Sequence, residues 1–225
     1  MDSNQKIARI VGILFIIGTV AGILSVVIAG SIIGAPDYLI KVSANENQII
    51  IGAIFVLIMG FALAMIPAVV FPIFKKHNEA LAYGYVIFRG AFETITYIAV
   101  VISWLILITL SQEFVQAGAP VASHFQTSGT LLLGAIDSID HISTIVFSLG
   151  ALMFYYFLYQ SKLIPRWLAG WGLIGATLVL AVGLLGMFGL VLMILWAPLA
   201  VQEMALAVWL IVKGFNPSAI EPESA

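Results

Sequence analysis

A chain of 225 residues that is 62% hydrophobic and 9% charged carries about a third of the charge of a soluble domain. Lipid must therefore replace water over much of its surface. The net charge of −2 says little about partners, and no basic patch points to nucleic acid. The absence of cysteine excludes disulfides, thiolate nucleophiles and Cys-ligated zinc or iron–sulfur centres.

About 20 apolar residues cross a hydrocarbon core roughly 30 Å thick. The hydropathy pattern predicts an all-α integral membrane bundle, one domain over 1–214, with spans near 7–29, 49–74, 83–110, 129–159, 166–185 and 190–213. The polar, proline-broken ending 215–225 is expected to be disordered. In the first span, the 20-residue run Ile10–Ala29 is longer than the core of a signal peptide, which points to a retained helix. Gly12, Gly18 and Gly22 on that span allow close helix contact, with a homo-oligomer face as the alternative use. Pro67 and Pro72 are expected to kink or end the second span.

The third span carries Arg89 and Glu93 one turn apart, with Tyr85, Thr96 and Tyr97 on the same stripe. That spacing fits an internal ion pair. On the fourth span Asp137, Asp140, His141 and Thr144 follow at i, i+3, i+4 and i+7, a single helical stripe predicted to turn away from lipid. The Gly-rich segment 183–189 is the expected turn between the fifth and sixth spans. On the sixth, Gln202 and Glu203 lie just beyond Pro198, which frees the Ile194 carbonyl and is predicted to bend the helix beside a buried acid. Trp167, Trp171, Tyr155, Tyr156 and Tyr159 read as an interfacial aromatic belt.

Basic residues set the expected orientation. Lys6, Arg9, Lys75, Lys76, Lys162, Arg166 and Lys213 fall on one side of the six-span topology, and only Lys41 falls in the loops of the other. The positive-inside rule then puts both termini in the cytoplasm and the chain in the plasma membrane.

Three stretches are similar to a bacterial and archaeal membrane family catalogued as domain of unknown function 4386: ARIVGILFIIGTVAGI (8–23), KLIPRWLAGWGLIG (162–175) and EMALAVWLIVKGFNP (203–217). The proline–basic–tryptophan loop and the acid opening the last stretch discriminate most. The resemblance covers nearly the whole chain and implies a multi-pass fold. It brings no activity, cofactor or catalytic residue.

Ionisable groups inside spans cost roughly 2.5–3.5 kcal/mol each on insertion scales, so they persist where they pair, meet water or bind something. Counting roughly 1.5 Å per residue from Tyr83 and Lys213 places Glu93 and Glu203 about 15 Å deep. Counting from Tyr155 places Asp140 and His141 at roughly 21–23 Å and Asp137 at about 27 Å. Such a gradient predicts a cavity open to the outside, formed by spans three, four and six. With Arg89 set against Glu93, Asp137, Asp140 and Glu203, the group carries excess negative charge. Protonation, a cationic ligand or water at Asp137 must relieve it.

Enzyme chemistry has less support. His77, His124 and His141 belong to different depths and cannot converge on zinc; Asp137 and His141 could supply two metal ligands at most. No Gly-x-Ser-x-Gly elbow, Walker loop, dinucleotide fingerprint or CxxCH motif occurs. No cofactor and no catalytic residue is predicted. Besides the bilayer, the expected partner is a small amphipathic or cationic molecule or a proton, contacting Arg89, Glu93, Tyr97, Asp137, Asp140, His141, Gln202 and Glu203. The alternatives are a membrane enzyme acting on a lipid or isoprenoid headgroup, and an accessory subunit whose charges only fix helix packing.

Overall fold

A computed structural model describes residues 3–117 and 122–219, with Ala122 placed in backbone only. Among the described residues all regular structure is helical, which satisfies every backbone group within its own segment where lipid offers no partner. Six helices are long and apolar enough to cross a membrane: Ser3–Ile33, Glu46–His77, Glu79–Ala117, Ser123–Ser161, Arg166–Gly186 and Met193–Val212. The chain is a multi-pass membrane protein.

Each span packs on the next in sequence, and the sixth returns to the first, so the helices close a ring in chain order. Both termini lie at one end of it. Gln5 donates to the Phe215 carbonyl at 2.9 Å, the Asn216 amide donates to Leu163 O at 2.8 Å, and His77 Nε2 is 3.2 Å from Ala219 O. These contacts gather the N-terminus, the second and fourth loops and residues 215–219 into one cap. The expected disordered tail is thus corrected for 215–219: Phe215 is only 1% exposed, and its burial supplies what a polar tail lacks. Residues 220–225 lie outside the described residues.

Span length separates two kinds of helix. The third and fourth spans have 39 residues each, roughly 58 Å at 1.5 Å per residue. The fifth and sixth have 21 and 20, roughly 30 Å. Because the cap levels the helices at one end, the extra length of spans three and four projects beyond the other. A short helix, Tyr38–Ala44, lies against the third span there, within the region expected as loop.

Glycines let the ring close tightly. A Cβ on Gly12 would sit 2.6 Å from Ala207 O of the sixth span, and on Gly18 it would sit 2.6 Å from the Leu63 side chain of the second. Gly22 faces Met59 of the same helix. All three therefore engage helices of the same chain.

Proline behaves differently in the two helices that contain it. The second span runs through both Pro67 and Pro72 to His77. Pro198 stands in the first turn of the α-helix Ala197–Val212, after a 3-10 turn at Met193–Trp196. There its missing N–H would have been unsatisfied anyway. The predicted bend is instead a change of helix type.

Candidate functional site

The third span widens where its charges sit. Val86–Phe92 is wound as a π-helix, and the Glu93 amide donates to Phe88 O five residues back. Such turns are uncommon and recur at functional sites. Within it, Arg89 Nη1 donates to both Glu93 carboxylate oxygens at 3.0 Å. The Tyr97 hydroxyl donates to Glu93 Oε1 at 2.7 Å. Arg89 is 3% exposed and Glu93 fully buried.

Neighbouring helices are shaped to accept this pair. Gly150 of the fourth span leaves room for the Arg89 backbone, since a Cβ there would lie 3.3 Å from Arg89 N. Phe147, one turn earlier, puts its ring 4.6 Å from the guanidinium carbon, in range of a cation–π contact. Gly60 of the second span does the same for Tyr97, whose Cδ2 would be 3.0 Å from an added Cβ. The positive charge is thus met by a carboxylate and an aromatic face, and the pair is neutral as a unit.

Across the ring, the sixth span contributes Gln202 and Glu203. Gln202 is fully buried, and its Nε2 donates to Leu168 O of the fifth span at 3.0 Å. Among the described residues its Oε1 has no hydrogen-bond partner, and neither does the buried Tyr155 hydroxyl of the fourth span. Tyr155 faces the Gln202 side chain and lies in Coulombic reach of Glu203. Glu203 is in turn within reach of Arg89 and Glu93. Yet it makes no hydrogen bond or ion pair among the described residues. Its side chain is partly exposed.

The remaining predicted residues lie elsewhere. Asp137 and Asp140 are exposed and His141 is half-buried. His141 rests against Gly186, where an added Cβ would come 2.6 Å from Nδ1. Gly186 ends the fifth span, roughly 30 Å from its start at Arg166. His141 is therefore level with the end of the fifth helix, and Asp137, a turn further on, projects past it. This stripe therefore stands apart from Arg89 and Glu93, where the fourth span runs on beyond the end of the fifth. Between the two clusters, Thr96 donates to Ser143 Oγ at 2.8 Å, and Ser148 is buried with its hydroxyl on Thr144 O.

Tyr155 was the residue that sequence reasoning assigned to the wrong place. It is 1% exposed and belongs to the core, whereas Tyr156 is 49% and Trp167 61% exposed, as an interfacial belt requires. Its signal was available in Gly172, which faces it on the fifth span with no room for a Cβ beside the ring. Among the described residues no three His, Asp or Glu side chains converge closely enough to hold a metal ion. The two-ligand Asp137–His141 candidate therefore lacks a third.

The family described as Domain of unknown function (DUF4386) matches residues 10–214, and the chain belongs to it. No curated protein and no solved structure matches the chain.

Proposed function

We propose that the protein binds, and moves across the plasma membrane, a small cationic or amphipathic molecule or a proton, with Glu203 as the central contact. One observation carries this reading. Among the described residues Glu203 makes no hydrogen bond or ion pair, roughly 15 Å from the Lys213 end of its helix, and the neighbouring Gln202 Oε1 and Tyr155 Oη accept or donate no hydrogen bond either. Buried polar groups are nearly always hydrogen-bonded, and an unfilled carboxyl at this depth calls for a counterion, a proton or a ligand donor. Arg89 does not meet that need, because its ion pair is made with both carboxylate oxygens of Glu93.

The accessory-subunit reading fits one part of the cluster. Arg89 and Glu93 neutralise each other and are held by Gly150 and Phe147, which is what a packing element does. That role belongs to the pair, and binding to the acid across from it. Orientation with both termini in the cytoplasm is supported by the seven basic residues that share the capped end.

The test uses tetraphenylphosphonium as a cationic amphipathic probe on the protein in nanodiscs. Wild type binds it more tightly at higher pH, since the cation competes with a proton for the Glu203 carboxyl. Glu203→Gln weakens binding at least about tenfold, the worth of one charged contact, and flattens the pH profile. Equal affinity in wild type and Glu203→Gln would refute the assignment. Native mass spectra of both proteins provide a probe-free check, because a co-purifying small mass should be absent from the variant.

A further inference from the structure

The capped end of the ring carries a second site of opposite charge. Residues 162–166, which connect the fourth and fifth spans, and residues 209–217 enclose a cleft of about 500 Å³. Leu163, Ile164 and Phe215 give it an apolar, buried floor. Lys162, Arg166 and Lys213 line it, all three exposed and none in an ion pair among the described residues. The only described acid at this end is Glu79, already bound to Lys75 at 3.1 Å.

The cleft is also well formed in its backbone. The Asn216 amide and Leu163 carbonyl join its two walls. Lys162 at φ 56° and Gly214 at φ 74° turn the chain sharply on either side. The fifth helix opens at Pro165, and its first internal hydrogen bonds come from Leu168 and Ala169. The Arg166 and Trp167 amides are therefore left to face outward at the positive end of the helix dipole.

Its level in the membrane indicates the ligand. Trp167 is 61% and Tyr159 38% exposed beside it, and the Arg166 guanidinium lies 5.3 Å from the Tyr159 ring centre. Exposed Trp and Tyr mark the headgroup layer. Three unpaired cations, an apolar floor and a headgroup-level opening are brought together in one cleft. We infer that this cleft seats the phosphate of an anionic phospholipid headgroup, with Lys162, Arg166 and Lys213 around the phosphate and Trp209 beside the acyl–glycerol junction.

The test is native mass spectrometry of the full chain in mild detergent, titrated with phosphatidylglycerol or phosphatidylcholine. Wild type retains one phosphatidylglycerol in preference to phosphatidylcholine. Each basic side chain contributes about fivefold, so Lys162→Ala, Arg166→Ala, Lys213→Ala together lose at least tenfold. A control with Lys6→Ala, Lys75→Ala, Lys76→Ala removes the same charge from the same end and keeps the bound lipid. Thermal melting of both triple variants confirms that they remain folded. Equal loss in the control would show diffuse attraction to the capped end and overturn the site. Displacement of the lipid by millimolar inorganic phosphate, with no preference for the lipid, would reassign the cleft to a free anion. Lipid binding that emerges only in Glu221→Gln, Glu223→Gln would mean the chain fills the cleft itself, and would overturn the inference equally.

Discussion

The central cluster and the outer stripe are equally rich in ionisable residues, and the structure treats them in opposite ways. Arg89 and Glu93 are withdrawn from all solvent and fully occupied with each other, with Tyr97 and with the Phe147 ring. Asp137 and Asp140 are exposed and make no side-chain ion pair among the described residues. The difference comes from helix length. Where the ring is complete, the charge is matched by protein; where the fourth span outruns the fifth, the acids are left exposed. Charge within an apolar helix therefore marks a site only when its neighbours extend to the same level.

The largest expected effect comes from breaking the match. Glu93→Ala leaves the guanidinium buried without its carboxylate and should cost about 3–5 kcal/mol, read as a fall in the midpoint of thermal unfolding in detergent. Arg89→Met combined with Glu93→Leu removes both charges and should restore most of that loss, since hydrophobic replacement of a buried pair is often neutral. A Glu93→Ala protein that melts like wild type would erase the contrast with the outer stripe. A smaller effect is expected at the fifth span. Gly172→Ala places a methyl into the Tyr155 ring, and such overpacking costs about 1–3 kcal/mol. It should also shift Tyr155 toward Gln202, so weaker tetraphenylphosphonium binding should accompany the lower melting point.

The legible parts of the site were the local ones. Arg89–Glu93 follows from a four-residue spacing that any helix brings together, and Gln202 and Glu203 stood out as polar neighbours in an apolar span. Depth was not legible for the fourth span, because it was counted from Tyr155, and an inward tyrosine about two turns from a basic loop looks the same in sequence as an interfacial one. The projection of Asp137 depends on where the fifth helix ends, at Gly186. Hydropathy along the fourth span contains nothing about that neighbour. The cap was hidden for a related reason: Phe215 sits in a polar, proline-containing stretch, and its burial is decided by Leu163 and Gln5, distant in sequence.

If solvent matches the outer stripe, neutralising it should do little. Asp137→Asn with Asp140→Asn should change stability by less than about 0.5 kcal/mol and leave tetraphenylphosphonium affinity unchanged. A loss of binding like that of Glu203→Gln would instead join the two clusters into one functional path along the Thr96–Ser143 contact.

The smallest effect isolates burial from spacing. Lys41 and Asp37 form an i,i+4 pair as Glu93 and Arg89 do, at 3.1 Å, but both side chains are about half exposed, 47% and 50%. The hydrogen bond from Lys41 holds the Asp37 carboxyl below its ordinary value of 3.8. A carboxylate depressed in this way stabilises the fold above its unfolded pKa and loses that contribution as pH falls through the lower folded value. Asp37 titration followed by NMR should therefore move up toward 3.8 in Lys41→Ala. The melting point of that variant at neutral pH should hardly change, because exposed pairs are screened by water and salt. A large drop would mean that the outer loop is as tightly matched by protein as the centre of the ring, and that exposure is the wrong criterion for telling the two apart.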